Sequence, residues 1–152
     1  MKCLRLYLTT LLLSILLLNC NRLTNKTPSI HWIHSIDSAM VIAKQTRKPI
    51  MVDFMAEWCP PCQAMEDSTF NQPNVIVKSE KFVTVRIDVD KQPDVAVAYN
   101  GNTRKYGGVG IPNMLFLSPD NRVIKHVIGY HNADKLIAVM DSAMTIFSDM
   151  GS

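Results

Sequence analysis

The feature that most constrains this chain is a short apolar run, Ile50-Met51-Val52-Asp53-Phe54-Met55, set between Pro49 and the segment Trp58-Cys59-Pro60-Pro61-Cys62. A nearly continuous run of this length reads as a central strand buried on both faces. Pro49 stops whatever helix precedes it, and proline at Pro60 suits the first turn of a helix that follows. The chain is therefore expected to leave a buried strand and enter a helix whose first turn carries two cysteines. Asp53 is the one charge in the strand. A carboxylate there is costly unless it is paired or functional; the plainer reading is an Asp at a strand end that faces solvent.

The rest of the domain alternates strands and helices. Ile36, Ala39, Met40 and Ala43 share one helical face after Ser35, with Asp37 near its start and Lys44, Arg47 and Lys48 near its end, as the helix dipole favours. A second helix is predicted over residues 59–70, a short one over 74–80, a strand over 82–89 and a helix over 93–106. Gly107-Gly108-Val109-Gly110 forms the approach to Ile111-Pro112. Strands at 113–117 and 122–128 flank the turn Ser118-Pro119-Asp120-Asn121, and Gly129 breaks the second one. A closing helix over 133–147 places Leu136, Val139, Met140 and Ala143 on one face. The order βαβαβ, then a ββ hairpin and a helix, predicts an α/β three-layer sandwich with a mixed central sheet, about 120 residues in all.

A Cys-X-X-Cys pair has several chemical readings. A metal site needs further ligands, and no other cysteine lies in the domain; His31 and His34 are the nearest supplement, in a predicted edge strand or loop. Haem attachment needs His after the second cysteine, where Gln63 stands. A purely structural disulfide closing so small a loop restrains the unfolded chain little. A redox pair remains. Cys59 at a helix N-terminus has its thiolate stabilised by the dipole and by free amides, and the thiolate is the attacking species. Cys62, one turn on, is expected to be the more buried cysteine and to resolve the mixed disulfide. Pro60 and Pro61 offer no N–H, so the amides nearest Cys59 are those of Cys62 and Gln63. Weaker thiolate stabilisation leans the pair toward a reductant or mild exchanger. Asp53, its pKa raised by burial, is the expected acceptor of the Cys62 proton.

The N-terminus reads separately. Lys2 and Arg5 precede the apolar run 6–18, a pattern of secretory signals and short for a membrane span; an uncleaved signal anchor is the alternative. Leu17-Leu18-Asn19-Cys20 resembles the lipobox of bacterial lipoproteins, with Asn19 departing from the usual small residue. The expected organisation is a signal peptide at 1–19, lipidated Cys20 and a polar tether to residue 29, and one domain over 30–152. Formal net charge is +3, but without Lys2 and Arg5 the balance is 14 basic against 13 acidic residues, which leaves no basic surplus for nucleic acid.

With these residues quoted, the chain resembles the thioredoxin superfamily. Val52 to Cys62 follows that family's signature and Gly110-Ile111-Pro112 its distal proline loop, over about residues 30–148. The resemblance implies that Pro112 is cis and packs on the cysteines, keeping metal away, that Trp58 shields the site, and that Ile111 offers its backbone to an extended substrate. Met65-Glu66-Asp67-Ser68-Thr69-Phe70 with Asn74-Val75 further resembles the C-terminal domain of transmembrane thiol–disulfide interchange proteins. Arg86 falls where thioredoxins place a lysine, and is expected to pair with Asp53 and hold it ionised.

The expected activity is a membrane-tethered thiol–disulfide oxidoreductase at the periplasmic side of a bacterial envelope. It would have no cofactor beyond the Cys59–Cys62 couple and no metal, would act as a monomer, and would reduce disulfides of exported proteins with electrons from a membrane or periplasmic donor. Alternatives are a disulfide-forming oxidant, a thiol reductant of cytochrome c maturation, and a non-catalytic binding or chaperone lipoprotein. A peroxidase lacks the Thr and Arg setting its nucleophile needs.

Overall fold

The computed structural model describes residues 28–100 and 110–151. The signal segment, Cys3, Cys20, the tether up to residue 27 and residues 101–109, including Gly107 and Gly108, lie outside the described residues. The elements are α1 (Ile36–Thr46), β1 (Ile50–Met55), α2 (Pro60–Met65), a π-helical turn (Glu66–Phe70), α3 (Pro73–Ser79), β2 (Val83–Asp88), α4 (Pro93–Asn100), β3 (Asn113–Leu117), β4 (Val123–Ile128) and α5 (Ala133–Met150).

The strands form one mixed sheet in the order β2-β1-β3-β4, with β1 parallel to β2 and antiparallel to β3. Being central, β1 is buried along nearly its whole length, as its apolar run predicts. Side chains alternate between faces along a strand. Ile50, Val52 and Phe54 therefore pack with Ile36, Ala39 and Ala43 of α1 on one side. Met51 packs on the other, with Met65, Phe70 and residues of α3 and α5. Asp53 shares the register of Met51 and so points toward α2, where a slip of one residue would turn it to α1.

Two expectations are corrected. The predicted order implied a further strand before the β1 unit; among the described residues, this region contributes only a bridge between Ile33 and Val85. The chain there makes two backbone bonds to β2, Ile33 N–H to the Thr84 carbonyl and Arg86 N–H to the Ile33 carbonyl, before Ser35 caps α1. The helix predicted over 59–70 is also not uniform, since its second half is the π turn. Polar side chains there divert the regular ladder: the Ser68 hydroxyl donates to the Ala64 carbonyl and that of Thr69 to the His131 carbonyl at 2.8 Å. Helix α1 ends at Thr46 because Arg47 adopts a left-handed conformation (φ 55°) ahead of Lys48 and Pro49.

Phe116, fully buried on β3, packs edge-on against Phe82 with ring centroids 5.5 Å apart. Phe116→Ala is expected to destabilise the domain by about 3–5 kcal/mol, read from the midpoint of urea unfolding; a loss below about 1 kcal/mol would show that this side of the core is not close-packed.

Candidate active site

Strand β1 ends at Met55, and the turn 56–59 is closed by the Cys59 N–H bonding to the Ala56 carbonyl at 3.2 Å. Cys59 is the N-cap of α2, with Pro60 and Pro61 in the first helical positions. Its sulfur accepts the Cys62 amide at 3.3 Å, as N-cap side chains do. The Gln63 amide, expected as a second donor to the sulfur, bonds to the Cys59 carbonyl instead, at 3.1 Å. Cys59 and Cys62 are joined in a disulfide with their Cα atoms 5.3 Å apart.

Both cysteines are buried, Cys59 to 2% exposure and Cys62 to 5%, so in this disulfide form Cys62 is not the more buried of the two, contrary to what the sequence leads one to expect. Ala56 packs with the pair, and Met55, Val89 and Ile111 cover it. The Ile111–Pro112 peptide bond is cis and Pro112 is buried. The Pro112 carbonyl accepts the Gly129 amide at 2.8 Å, which fixes the loop to the end of β4. Gly129 has φ +90°, a conformation that disfavours any side chain. Trp58 stands 65% exposed beside the pair, its indole N–H donating to Asp90 Oδ2 at 2.6 Å. Pro60 and Pro61 are exposed on the same rim.

Beneath Cys62 lies a cavity of about 220 Å³ lined by Asp53, Glu57, Gln63, Glu66 and Arg86 among others. Asp53 is 2% exposed. Its Oδ2 accepts from Arg86 Nε at 2.9 Å, and among the described residues no donor reaches Oδ1. Arg86 Nη2 also meets Glu66 Oε2 at 2.7 Å. The guanidinium lies 4.3 Å from the ring centre of Trp32 and 5.2 Å from that of Phe70. Burial raises the Asp53 pKa from the ordinary 3.8 to about 6; Arg86 opposes the rise and the nearby Glu66 carboxylate adds to it. Desolvation thus outweighs the guanidinium, and Arg86 holds Asp53 ionised less firmly than expected. A carboxyl titrating near 6 is matched to proton transfer close to neutrality.

Glu66, Trp32, Phe70 and Asp90 were not singled out from the sequence. Glu66 and Phe70 bracket the π turn, while Trp32 arrives with the segment that bridges β2. His34 Nδ1 donates to the Arg86 carbonyl at 3.0 Å, and His31 lines a groove beside β2, away from the cysteines.

A buried Cys-Pro-Pro-Cys disulfide at a helix N-terminus, covered by a proline loop and set above a buried carboxyl, defines a thiol–disulfide oxidoreductase site of the thioredoxin kind. Residues 36–144 match the family described as thioredoxin-like domain, and the chain belongs to that family. A 59-residue stretch is 36% identical to a thiol:disulfide interchange protein DsbD of Vibrio vulnificus, covering 39% of this chain and 10% of that protein. The chain thus corresponds to a small part of that relative. The crystal structure of the oxidised C-terminal domain of DsbD from Neisseria meningitidis superposes with a TM-score of 0.58 at 26% identity, covering 74% of this chain and 99% of that one. A thioredoxin from Thermus thermophilus shares the fold, with a TM-score of 0.66 at 23% identity over 82% of this chain and 94% of its own.

The Asp53 shift has a sign for stability. Between 3.8 and about 6 the native state holds a proton that the unfolded chain has released. Stability therefore falls as pH rises through that window, and the penalty is complete above it. Asp53→Asn is expected to stabilise the oxidised domain by up to about 3 kcal/mol at about pH 7.5 and by almost nothing at about pH 3. Urea unfolding at the two pH values measures this, and a gain independent of pH would show that Asp53 is not the titrating group.

Proposed function

We propose that this protein is an exported, membrane-tethered reductant of protein disulfides, with Cys59 as nucleophile, Cys62 as resolving thiol and Asp53 as proton acceptor. The observation that carries the reading is the shared cavity: the resolving cysteine and a buried carboxyl with a pKa of about 6 line the same 220 Å³ space. In the reduced enzyme the Cys59 thiolate, at the N-terminus of α2, attacks one sulfur of a substrate disulfide. A mixed disulfide forms and the other substrate sulfur leaves as a thiolate. Cys62 then loses its proton to Asp53 and attacks Cys59 Sγ, closing the Cys59–Cys62 disulfide and releasing the second substrate thiol. The substrate gains two electrons and the enzyme loses two, which a dithiol donor in the membrane or envelope returns.

Ile111 packs against the cysteine pair and the exposed Trp58 immediately precedes Cys59, so an extended substrate segment is read by the Ile111 backbone and by the indole. Similarity to proteins named for thiol–disulfide interchange supports the exchange chemistry. The basic, apolar and cysteine-ended N-terminus supports export and anchoring through Cys20.

Insulin reduction should fall to background in Cys59→Ser, whereas Cys62→Ser should accumulate a substrate-linked mixed disulfide that dithiothreitol releases. Activity retained in Cys59→Ser would remove it as nucleophile. The Cys59–Cys62 couple should poise near −270 mV, as thioredoxin's does, and a value near −120 mV would reverse the direction of electron flow. Mass spectrometry of the mature N-terminus should find Cys20 acylated; cleavage elsewhere would overturn the anchor.

A further inference from the structure

The sheet register gives the described part of the domain two ends. At one end β1 and β2 finish, at Met55 and Asp88, while β3 begins at Asn113. Cys59 lies here, and among the described residues two of the cations at this end, Lys91 and Arg86, are engaged. Lys91 is held by Glu57 and Asp88, and Arg86 by Asp53 and Glu66. At the other end β1 and β2 begin, at Ile50 and Val83, and β3 finishes at Leu117 opposite Val123 of β4. That end carries exposed Lys44, Arg47, Lys48, Lys81 and Arg122. None of these five has an ion-pair partner among the described residues.

Three of them share a concave surface. Lys44, Arg47 and Arg122 line a cavity of about 300 Å³ whose floor includes Phe147 and Met150 at the end of α5, with Asp120 the one acid on its wall. Cations around a partly open apolar floor suit a surface of anionic headgroups over acyl chains. The path of the chain puts the same end toward a membrane. Ile33 pairs in parallel with β2, so the residues before it run back toward the start of that strand. Ser29 accordingly lines a groove together with Lys48, Thr46 and Glu80. The nine residue steps from Cys20 to Ser29 span at most roughly 32 Å, short enough to hold the cationic end within reach of the bilayer that anchors it.

We propose that the Lys44–Arg47–Arg122 surface docks on anionic phospholipid headgroups and thereby holds the domain with Cys59 facing away from the membrane. The inference rests on the tethering proposed above. The anchor supplies proximity, and the cationic end converts a loose leash into an orientation. Each basic residue near an anionic bilayer strengthens such binding by roughly fivefold, so three together act as a latch that salt releases.

The test uses the full-length protein incorporated into vesicles of pure phosphatidylcholine or of phosphatidylcholine with about 30% phosphatidylglycerol. Flotation reads the tether, and amide hydrogen exchange reads the docking. The expected result is flotation with both vesicles, with exchange at residues 44–48 and 118–122 slowed about tenfold or more on the anionic ones only, and unchanged at 57–60. The slowing should vanish at about 0.5 M NaCl and in Lys44→Glu/Arg47→Glu/Arg122→Glu, a variant that should reduce insulin normally in solution because it lies at the far end from Cys59. Flotation with both vesicles but no difference in exchange would overturn the docking and leave the tether standing. Flotation with anionic vesicles alone, with the same protected residues, would overturn the tether and uphold the docking surface. Flotation with neither would overturn both.

Discussion

The pair formed by Asp53 and Arg86 is the interaction on which the site depends. The two residues face each other in the register of β1 and β2, with Asp53 almost wholly removed from water and Arg86 largely so. Desolvating a carboxylate in a protein interior costs several kcal/mol, and one guanidinium returns only part of it. Arg86 is in any case shared, because Glu66 takes a second edge and two aromatic rings hold its plane. The balance leaves Asp53 titrating near 6 instead of near 4. One compromise therefore ties together two strands, the π turn and the segment before α1, and it leaves a buried carboxyl that titrates near 6.

That arrangement was only partly legible in the sequence. The elements that local chemistry determines came through: the buried run of β1, the helix opened by Pro60, the hairpin around Ser118-Pro119-Asp120-Asn121 and the closing helix all stand close to their predicted positions. Arg86 beside Asp53 came from a resemblance, and the structure places them 2.9 Å apart. The contacts of Glu66, Trp32 and Phe70 with Arg86 were invisible because they depend on register and on one extra residue in a turn. Nothing in Glu66-Asp67-Ser68-Thr69-Phe70 announces a π turn, and one bond within it, from Thr69 to the His131 carbonyl, is tertiary. The leading strand was over-predicted for a related reason: Trp32 turns to Arg86, and the pairing stops at a single bridge. The burial of Cys59 also follows from a distant segment, the Ile111 loop, which local spacing cannot reveal.

Net charge concealed the most consequential pattern. A nearly even count of acids and bases excludes a uniformly basic surface, but it says nothing about segregation. Segregation follows here from connectivity. Helix α1 precedes β1 and must end where that strand begins, and α2 follows β1 and must begin where it ends. The negative end of one helix dipole and the positive end of another therefore fall at opposite ends of the same strand. The positive end falls at Cys59, the N-cap of α2, while the negative end falls beside Lys44 and Arg47. Helix α5, returning from the end of β4, brings its own C-terminus to the basic end beside those residues. The direction of β1 thus sets both where electrons are exchanged and where cations collect. A disulfide at one end and a cluster of cations at the other are two consequences of threading one strand between two helices.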